Sequence, residues 1–123
     1  MFFSKKELGN RGEEIAAKYL RKNKYKIIAR HYQKRVGEID IIAFDPQNTL
    51  VFFEVKTRTS HQFGSGAESV NWFKQKKLVK TAYFYLFENH LQNQNFRIDV
   101  ITVDLNLKTN QSKITHYKNA VSE

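Results

Sequence analysis

The chain has 123 residues, which is enough for one domain over residues 1–123 and too few for two. Its 21 Lys and Arg against 12 Asp and Glu give a formal net charge of +9, so nucleic acid is the expected partner. Without cysteine, disulfides and cysteine-based zinc sites are excluded, and a reducing cytoplasm is the expected location. We expect no membrane span and no signal peptide, because no long apolar run occurs.

A first helix is predicted from a Ser4–Glu7 capping box to about Asn23, with apolar residues at helical spacing. Glu13 lies on or at the edge of the buried stripe of this helix. A buried carboxylate must be paired or bind a metal ion, so two interpretations stand: a metal ligand, or an ion pair with a Lys or Arg from the sheet. Glu14 is on the polar side and is expected to form an ion pair at the helix surface.

A first strand over 25–32 is followed by a predicted β-hairpin. Segments 36–44 and 50–57 are rich in Ile, Val and Phe and are joined by the turn formers 45–48. If the turn is centred on Gln47, the register pairs Phe44 with Leu50, Ile42 with Phe52, Asp40 with Glu54, and Glu38 with Lys56.

The polar residues of this hairpin would then share one face of the sheet. Carboxylates directly opposite one another destabilise a sheet by up to about 1 kcal/mol unless something positive lies between them. Mg²⁺ favours a few carboxylate oxygens together with waters and substrate phosphate oxygens. The hairpin therefore predicts a magnesium site at Asp40 and Glu54. The alternative is a structural cluster in which Lys56 and Arg58 neutralise these acids.

A second helix is predicted over about 68–89, and two strands follow over 96–104 and 113–117. The residues expected to form the inner stripe of this helix are Phe73, Leu78, Ala82, Tyr85 and Leu86. The order of elements predicts an α/β fold with a mixed central sheet flanked by helices.

Several residues outside the hairpin are interpreted as structural. Arg97 and Asp99 are expected to form a pair on a strand, and Trp72 is expected in the core or at an interface. The histidines have no metal-ligand spacing and are expected at the surface or in turns: His31, His61, His90 and His116.

Four motifs together resemble the YraN-like (UPF0102-type) family of bacterial proteins, over nearly the whole chain. The motifs are Gly12-Glu13 with Ala16-Ala17, Gly37-Glu38-Ile39-Asp40-Ile41-Ile42-Ala43, Phe53-Glu54-Val55-Lys56-Thr57-Arg58, and Arg97-Ile98-Asp99-Val100. The resemblance implies the restriction-endonuclease-like αβββαβ core of the PD-(D/E)xK nuclease superfamily, and similarity to archaeal Holliday-junction resolvases. One departure is Ile39, which stands where that superfamily has a proline.

The resemblance also implies a role for each site residue. Asp40 and Glu54, with the Val55 carbonyl, would be ligands of Mg²⁺ or Mn²⁺, Lys56 the catalytic lysine, and Glu13 the helix acid that completes the catalytic set. Some relatives carry Gln-x-x-x-Tyr on the second helix, but here Gln75 is followed by Val79. The expected contacts to nucleic acid are Arg58, Lys74, Gln75 and Lys77. No membrane partner is expected, for want of a strongly amphipathic helix with exposed large apolar residues.

Two function classes remain open. The first is a metal-dependent endonuclease that hydrolyses phosphodiester bonds of structured or branched DNA. The second is a nucleic-acid-binding or adaptor protein that retains a nuclease fold without catalysis. Resolution of a four-way junction needs two coordinated cuts and therefore a homodimer, although no residue identifies a dimer surface.

Overall fold

A computed structural model describes residues 4–59 and 71–121. These residues form two helices and five strands: α1 (Lys5–Lys22), β1 (Lys26–Lys34), β2 (Gly37–Phe44), β3 (Leu50–Thr59), α2 (Trp72–Glu88), β4 (Phe96–Asn106) and β5 (Gln111–Tyr117). The strands form one sheet in the order β1-β2-β3-β4-β5. Strands β3 and β4 are parallel, and the other neighbours are antiparallel. The predicted α/β class, the αβββαβ order and the mixed sheet are confirmed.

Helix α1 begins at the predicted capping box, in which Ser4 Oγ accepts from the Glu7 amide and Glu7 reaches back to the Ser4 amide. Its inner face consists mostly of small residues, which allow the helix to approach the sheet closely. A Cβ added at Gly12 would lie 1.8 Å from Thr57 Oγ1 on β3. Glycine at this position therefore fixes how closely α1 approaches β3, next to Glu13.

Asn71 caps the N-terminus of helix α2, and its side chain accepts from the Lys74 amide. The predicted start near residue 68 lies outside the described residues. Most of the predicted inner stripe is buried, but Phe73 is 74% exposed, so this part of the prediction is wrong. Gly37 of β2 packs against this helix, since a Cβ added there would lie 2.5 Å from Thr81 Oγ1.

The two helices cover opposite faces of the sheet. The core on the α2 side contains Ile39, Ile42 and Phe52. The core on the α1 side contains Ile41 and Phe53. Because Ile39 and Ile42 contribute to the same core, the strict alternation of side chains along β2 is interrupted around Asp40.

A buried polar network joins α1, β4 and β5 on the α1 side. Arg97 donates to Asp99, to Asp45 and to the Tyr25 hydroxyl at 2.6–3.1 Å, which confirms the predicted pairing of Arg97 with Asp99. His116 Nε2 lies 2.7 Å from Asp99 Oδ2. The prediction that His116 is a surface or turn residue is therefore wrong: it lies on β5 with a side chain that is 6% exposed. His61 lies outside the described residues.

Candidate functional site

The candidate site lies where strands β2 and β3 separate. Their pairing runs from Phe44↔Leu50 to Ile41↔Phe53 and includes the predicted pair Ile42↔Phe52. The next residue of β2 is Asp40, and its Oδ2 accepts a 2.7 Å hydrogen bond from the Val55 amide. The carboxylate of Asp40 thus takes the place of a backbone acceptor and is fixed beside β3.

The predicted register is correct near the turn and wrong beyond it. The β2–β3 ladder contains neither of the two remaining predicted pairs, Asp40 with Glu54 and Glu38 with Lys56, although all four residues are described. Glu38 instead pairs with Gln33 on β1 and accepts from its side chain at 3.1 Å. Opposite Asp40 on β1, His31 has a φ of 53°, so both strands depart from regular geometry there.

Asp40 is surrounded by negative charge. Burial, and after it the charge of Glu54, raise the pKa of its carboxyl to about 7. The Val55 amide opposes this shift, Glu13 adds to it, and Lys74 opposes it. Acidic groups that hinder one another's ionisation in this way favour a cation between them.

Glu54 is 4% exposed on β3, and its partner is Lys74 from the first turn of α2. Lys74 Nζ lies 2.5 Å from Glu54 Oε1. Burial lowers the pKa of Lys74, but the hydrogen bond and charge of Glu54 outweigh it and raise the pKa. Glu54 therefore forms an ion pair, as in the alternative to the magnesium site, but its partner is Lys74 and not Lys56 or Arg58.

Lys56 follows Glu54 by two residues on β3, so the two side chains point to the same face of the sheet as Phe52. This is the face that α2 covers. Within the described ranges 4–59 and 71–121, Lys56 has no hydrogen bond or ion pair. It adjoins Thr102 on β4, whose buried hydroxyl has no hydrogen-bond partner among the same residues. Lys56 thus shares a face of the sheet with Glu54, two residues away on β3.

Glu13 is buried and is held by two residues of β1. Its Oε1 lies 3.0 Å from Arg30 Nε and 3.1 Å from His31 Nε2. The ion pair with the sheet, one of the two interpretations of Glu13, is therefore present. Glu14 pairs with Arg30 at 3.1 Å, so its partner is on β1 and not on its own helix.

The residues expected to contact nucleic acid are in different surroundings. Arg58 donates from Nε and Nη2 to the Asp104 carboxylate at 2.8 and 3.1 Å. Lys74 and Lys77 line a cleft of about 600 Å³ between α2 and the β1–β2 turn, together with Phe73 and Glu38. Gln75 is partly buried beside them on α2.

The donor set fits Mg²⁺ in composition. Asp40 and Glu54 supply carboxylate oxygens, and such a site can be completed by waters and substrate phosphate oxygens. Within the described parts of the chain, no cluster of three or more His, Cys, Asp or Glu side chains could hold a metal ion. The protein ligands would therefore be few, and Lys74 would have to leave Glu54.

Sequence reasoning missed the contact between Lys74 and Glu54. Helical spacing places Lys74 on the polar side of α2, but only packing of α2 on the sheet brings its first turn to β3. The contact of His31 with Glu13 was also missed, because it depends on the irregular backbone of β1. No local sequence signal indicates either contact.

Comparison with known proteins decides the family. The model of "Uncharacterised protein family UPF0102" matches residues 12–103, a range that contains Glu13, Asp40, Glu54 and Lys56. The chain belongs to the UPF0102 family. The resemblance to the YraN-like (UPF0102-type) family is thereby confirmed.

Relatives from several bacteria carry the name UPF0102 protein. One from Desulforamulus reducens is 43% identical over 122 residues, which is 98% of this chain and 100% of the relative. One from Caldanaerobacter subterraneus subsp. tengcongensis is 44% identical over 118 residues and covers 95% of this chain and 96% of its own. A third, from Clostridium botulinum, is 43% identical over 121 residues, 98% of each chain.

Among solved structures, this UPF0102 chain is similar to the crystal structure of a repair endonuclease from Pyrococcus abyssi, with a TM-score of 0.41 and 13% identity. The match covers 83% of this chain and 39% of the other, so the chain spans well under half of that protein. Neither described helix is long and apolar enough to cross a membrane.

Proposed function

We propose that this UPF0102 protein is a metal-dependent endonuclease that hydrolyses phosphodiester bonds in structured or branched DNA. One observation carries the proposal: the Asp40 carboxylate is fixed by the Val55 amide at 2.7 Å, where β2 and β3 separate, beside buried Glu54 and with Lys56 two residues farther along β3. Two acids and a lysine in this order are the motif by which the chain resembles PD-(D/E)xK nucleases.

Asp40 and Glu54, with the Val55 carbonyl, would hold Mg²⁺ or Mn²⁺. When bound, the ion lowers the pKa of a coordinated water and offsets the negative charge that develops on the phosphoryl group. The Val55 amide orients Asp40 before any ligand arrives. Glu54 is buried, and its spacing from Lys56 on β3 places both side chains on the same face of the sheet.

The remaining residues would act on the water and the phosphate. Lys56 would orient the attacking water or neutralise charge on the phosphate, because its amine has no acidic partner within residues 4–59 and 71–121. Lys74, once released from Glu54, would contact a phosphate oxygen. Glu13 is held by Arg30 and would influence the ionisation of Asp40 through its charge.

The net charge of +9 supports a polyanionic substrate, and the lysines of α2 that line the cleft would contact its backbone. Cleavage of both strands of a four-way junction would need two such sites, and we therefore propose a homodimer for that substrate.

A second function has one observation in its favour. Lys74 already neutralises Glu54 at 2.5 Å, as in an acid that serves only to hold α2 on the sheet. On this view the protein binds nucleic acid or acts as an adaptor, and it does not cut. Binding would then be salt-sensitive and indifferent to metal ions and to Asp40→Ala.

Cleavage assays separate the two functions. The purified protein would be incubated with labelled duplex, single-stranded, flap and four-way DNA and with RNA, in Mg²⁺, Mn²⁺ or EDTA. The nuclease proposal expects cleavage of at least one DNA substrate with metal and at least a hundredfold loss in Asp40→Asn, Glu54→Gln and Lys56→Met.

Matched controls are Glu14→Gln, an exposed acid next to Glu13, and Lys113→Met, an exposed lysine on β5. Both should cleave at the wild-type rate. Absence of cleavage on every substrate, with binding unaffected by Asp40→Ala, would favour the non-catalytic function and refute the nuclease.

A further inference from the structure

Two large aromatic side chains are exposed at the beginning of α2. Trp72 is 62% exposed and Phe73 is 74% exposed, and their rings meet edge to face with centroids 5.0 Å apart. The sequence placed both residues in the core or at an interface. Large apolar side chains held in solvent next to one another commonly mark a binding surface.

The same end of α2 carries concentrated positive charge. The helix contains four lysines, Lys74, Lys76, Lys77 and Lys80, and a single acid, Glu88, at its last residue. Lys76 Nζ lies 5.4 Å from the centroid of the Trp72 ring. Lysines near the start of a helix are disfavoured by the helix dipole, so helix stability does not explain their position.

This surface is continuous with the candidate site. Phe73, Lys74 and Lys77 line the cleft of about 600 Å³ whose opposite wall includes Glu38. Lys74 contacts Glu54 in the same region. An extended ligand bound on Trp72 and Phe73 could therefore continue past Lys74 toward Asp40 and Glu54.

We propose that Trp72 and Phe73, with Lys76 and Lys77, bind unpaired nucleotides, so that the substrate of this protein contains a single-stranded segment. The inference rests on the proposed nuclease function and names its substrate class. Exposed aromatic rings stack on unpaired bases, while neighbouring lysines contact the phosphates between them. Bases inside a duplex are stacked on one another and are not available to such rings.

An anionic membrane is the main competing occupant. Helix α2 exposes aromatic residues near both of its ends, namely Trp72, Phe73, Tyr83, Phe84 and Phe87. The lysines, however, lie toward the Trp72 end, and that end borders the cleft lined by Lys74, whose amine contacts Glu54. Charge and position together favour a nucleic acid strand that reaches the acids.

The chain provides its own probe, because Trp72 is its single tryptophan. Tryptophan fluorescence would be recorded in EDTA, so that no cleavage is needed, during titration with a dT12 oligonucleotide and with a hairpin duplex of the same charge. We expect quenching by dT12 at concentrations at least tenfold lower than by the duplex.

Variants assign the binding to this surface. Anisotropy of labelled dT12 should show about tenfold weaker binding for Trp72→Ala and for Phe73→Ala. Phe87→Ala is the matched control: Phe87 is 70% exposed at the other end of the same helix, and its variant should bind within about twofold of wild type. Lys76→Gln should reduce the slope of log Kd against log salt concentration by about 1.

Several results would overturn the inference. These are equal binding of duplex and dT12, equal losses in Phe87→Ala and Trp72→Ala, and stronger quenching by phosphatidylserine vesicles than by dT12. Quenching of Trp72 fluorescence that grows with protein concentration in the absence of DNA would indicate a second copy of the chain on this surface. That result would also overturn the inference. The outcome is separable from the nuclease proposal: Asp40→Asn should lose cleavage and keep dT12 binding, whereas Trp72→Ala should bind dT12 about tenfold more weakly and cleave more slowly.

Discussion

Lys74 Nζ lies 2.5 Å from Oε1 of Glu54, an ion pair that joins the first turn of α2 to the buried part of β3. The glutamate is 4% exposed, so its charge needs a partner. In the proposed function that partner would be a divalent cation when one is bound. Lys74 and the cation would therefore compete for the same oxygen.

This competition can be measured with Lys74→Gln. Removal of the ammonium leaves Glu54 buried without its partner, so we expect the free energy of unfolding without metal to fall by about 1–3 kcal/mol. Mn²⁺ should restore more stability to the variant than it adds to wild type. The measurement is thermal unfolding with and without Mn²⁺.

Lys77→Gln is the control for this experiment, because Lys77 lines the same cleft but forms no ion pair with Glu54 in the described residues. It should respond to Mn²⁺ as wild type does. Equal stabilisation of wild type and Lys74→Gln by Mn²⁺ would show that Lys74 and the metal ion do not share Glu54.

The raised pKa of Asp40 predicts a pH dependence of stability without metal. In the folded state this pKa is about 7, against an ordinary value of 3.8. The unfolded chain therefore loses this proton at lower pH, and the folded state loses stability as the pH rises from about 4 to about 7. Asp40→Asn stays neutral and keeps an oxygen that can accept from the Val55 amide.

We accordingly expect Asp40→Asn to be more stable than wild type by about 1–3 kcal/mol at pH 8, and about equally stable at pH 4. Urea unfolding in EDTA at both pH values measures the difference. Glu14→Gln should show no such gain. A variant that is less stable than wild type at pH 8 would contradict the charge clustering around Asp40.

The close approach of α1 to β3 predicts opposite effects for two glycines in one helix. A Cβ at Gly12 would meet Thr57 Oγ1 at 1.8 Å, whereas a Cβ at Gly9 has nothing within 4 Å. Gly12→Ala should lower the free energy of unfolding by about 1–3 kcal/mol through overpacking. Gly9→Ala should raise it by roughly 0.5–1 kcal/mol, since alanine favours the helix. Chemical denaturation measures both changes. If the two variants changed the free energy of unfolding in the same direction, the close packing of Gly12 against Thr57 would be contradicted.

The buried network around Arg97 is expected to stabilise the fold and to be independent of catalysis. Arg97→Met would leave Asp45 and Asp99 buried without their charged partner, and should lower the free energy of unfolding by about 3–5 kcal/mol. Lys34→Met, which breaks the exposed pair with Glu88, should cost under about 1 kcal/mol. Denaturant unfolding compares the two, and similar losses would contradict the importance of burial.

Local sequence signals predicted the elements of the fold well. The Ser4–Glu7 capping box and the hairpin around Gln47 involve residues that are close in the chain, and both are present. The register failed at Asp40, because that carboxylate accepts from the Val55 amide in place of a regular ladder bond. A side chain that replaces a backbone hydrogen-bond acceptor does not change the hydrophobic periodicity of the sequence, so the pattern cannot predict it.

Sequence patterns did not predict the contacts between segments that are distant in the chain. Glu54 pairs with Lys74 because of the position that α2 takes on the sheet. The exposure of Phe73 has the same origin: its spacing fits the inner stripe, but it lies at the cleft beyond the edge of the core. The family resemblance supplied the site residues, while their actual partners required the folded chain.

Calorimetric titration of Mn²⁺ into the metal-free protein tests most directly whether Asp40 and Glu54 form a metal site. Wild type, Asp40→Asn and Glu14→Gln would be compared under the same conditions. We predict saturable binding to wild type and to Glu14→Gln, and loss of at least tenfold in affinity in Asp40→Asn. No binding to wild type, or equal binding to Asp40→Asn, would contradict the metal site and with it the proposed nuclease.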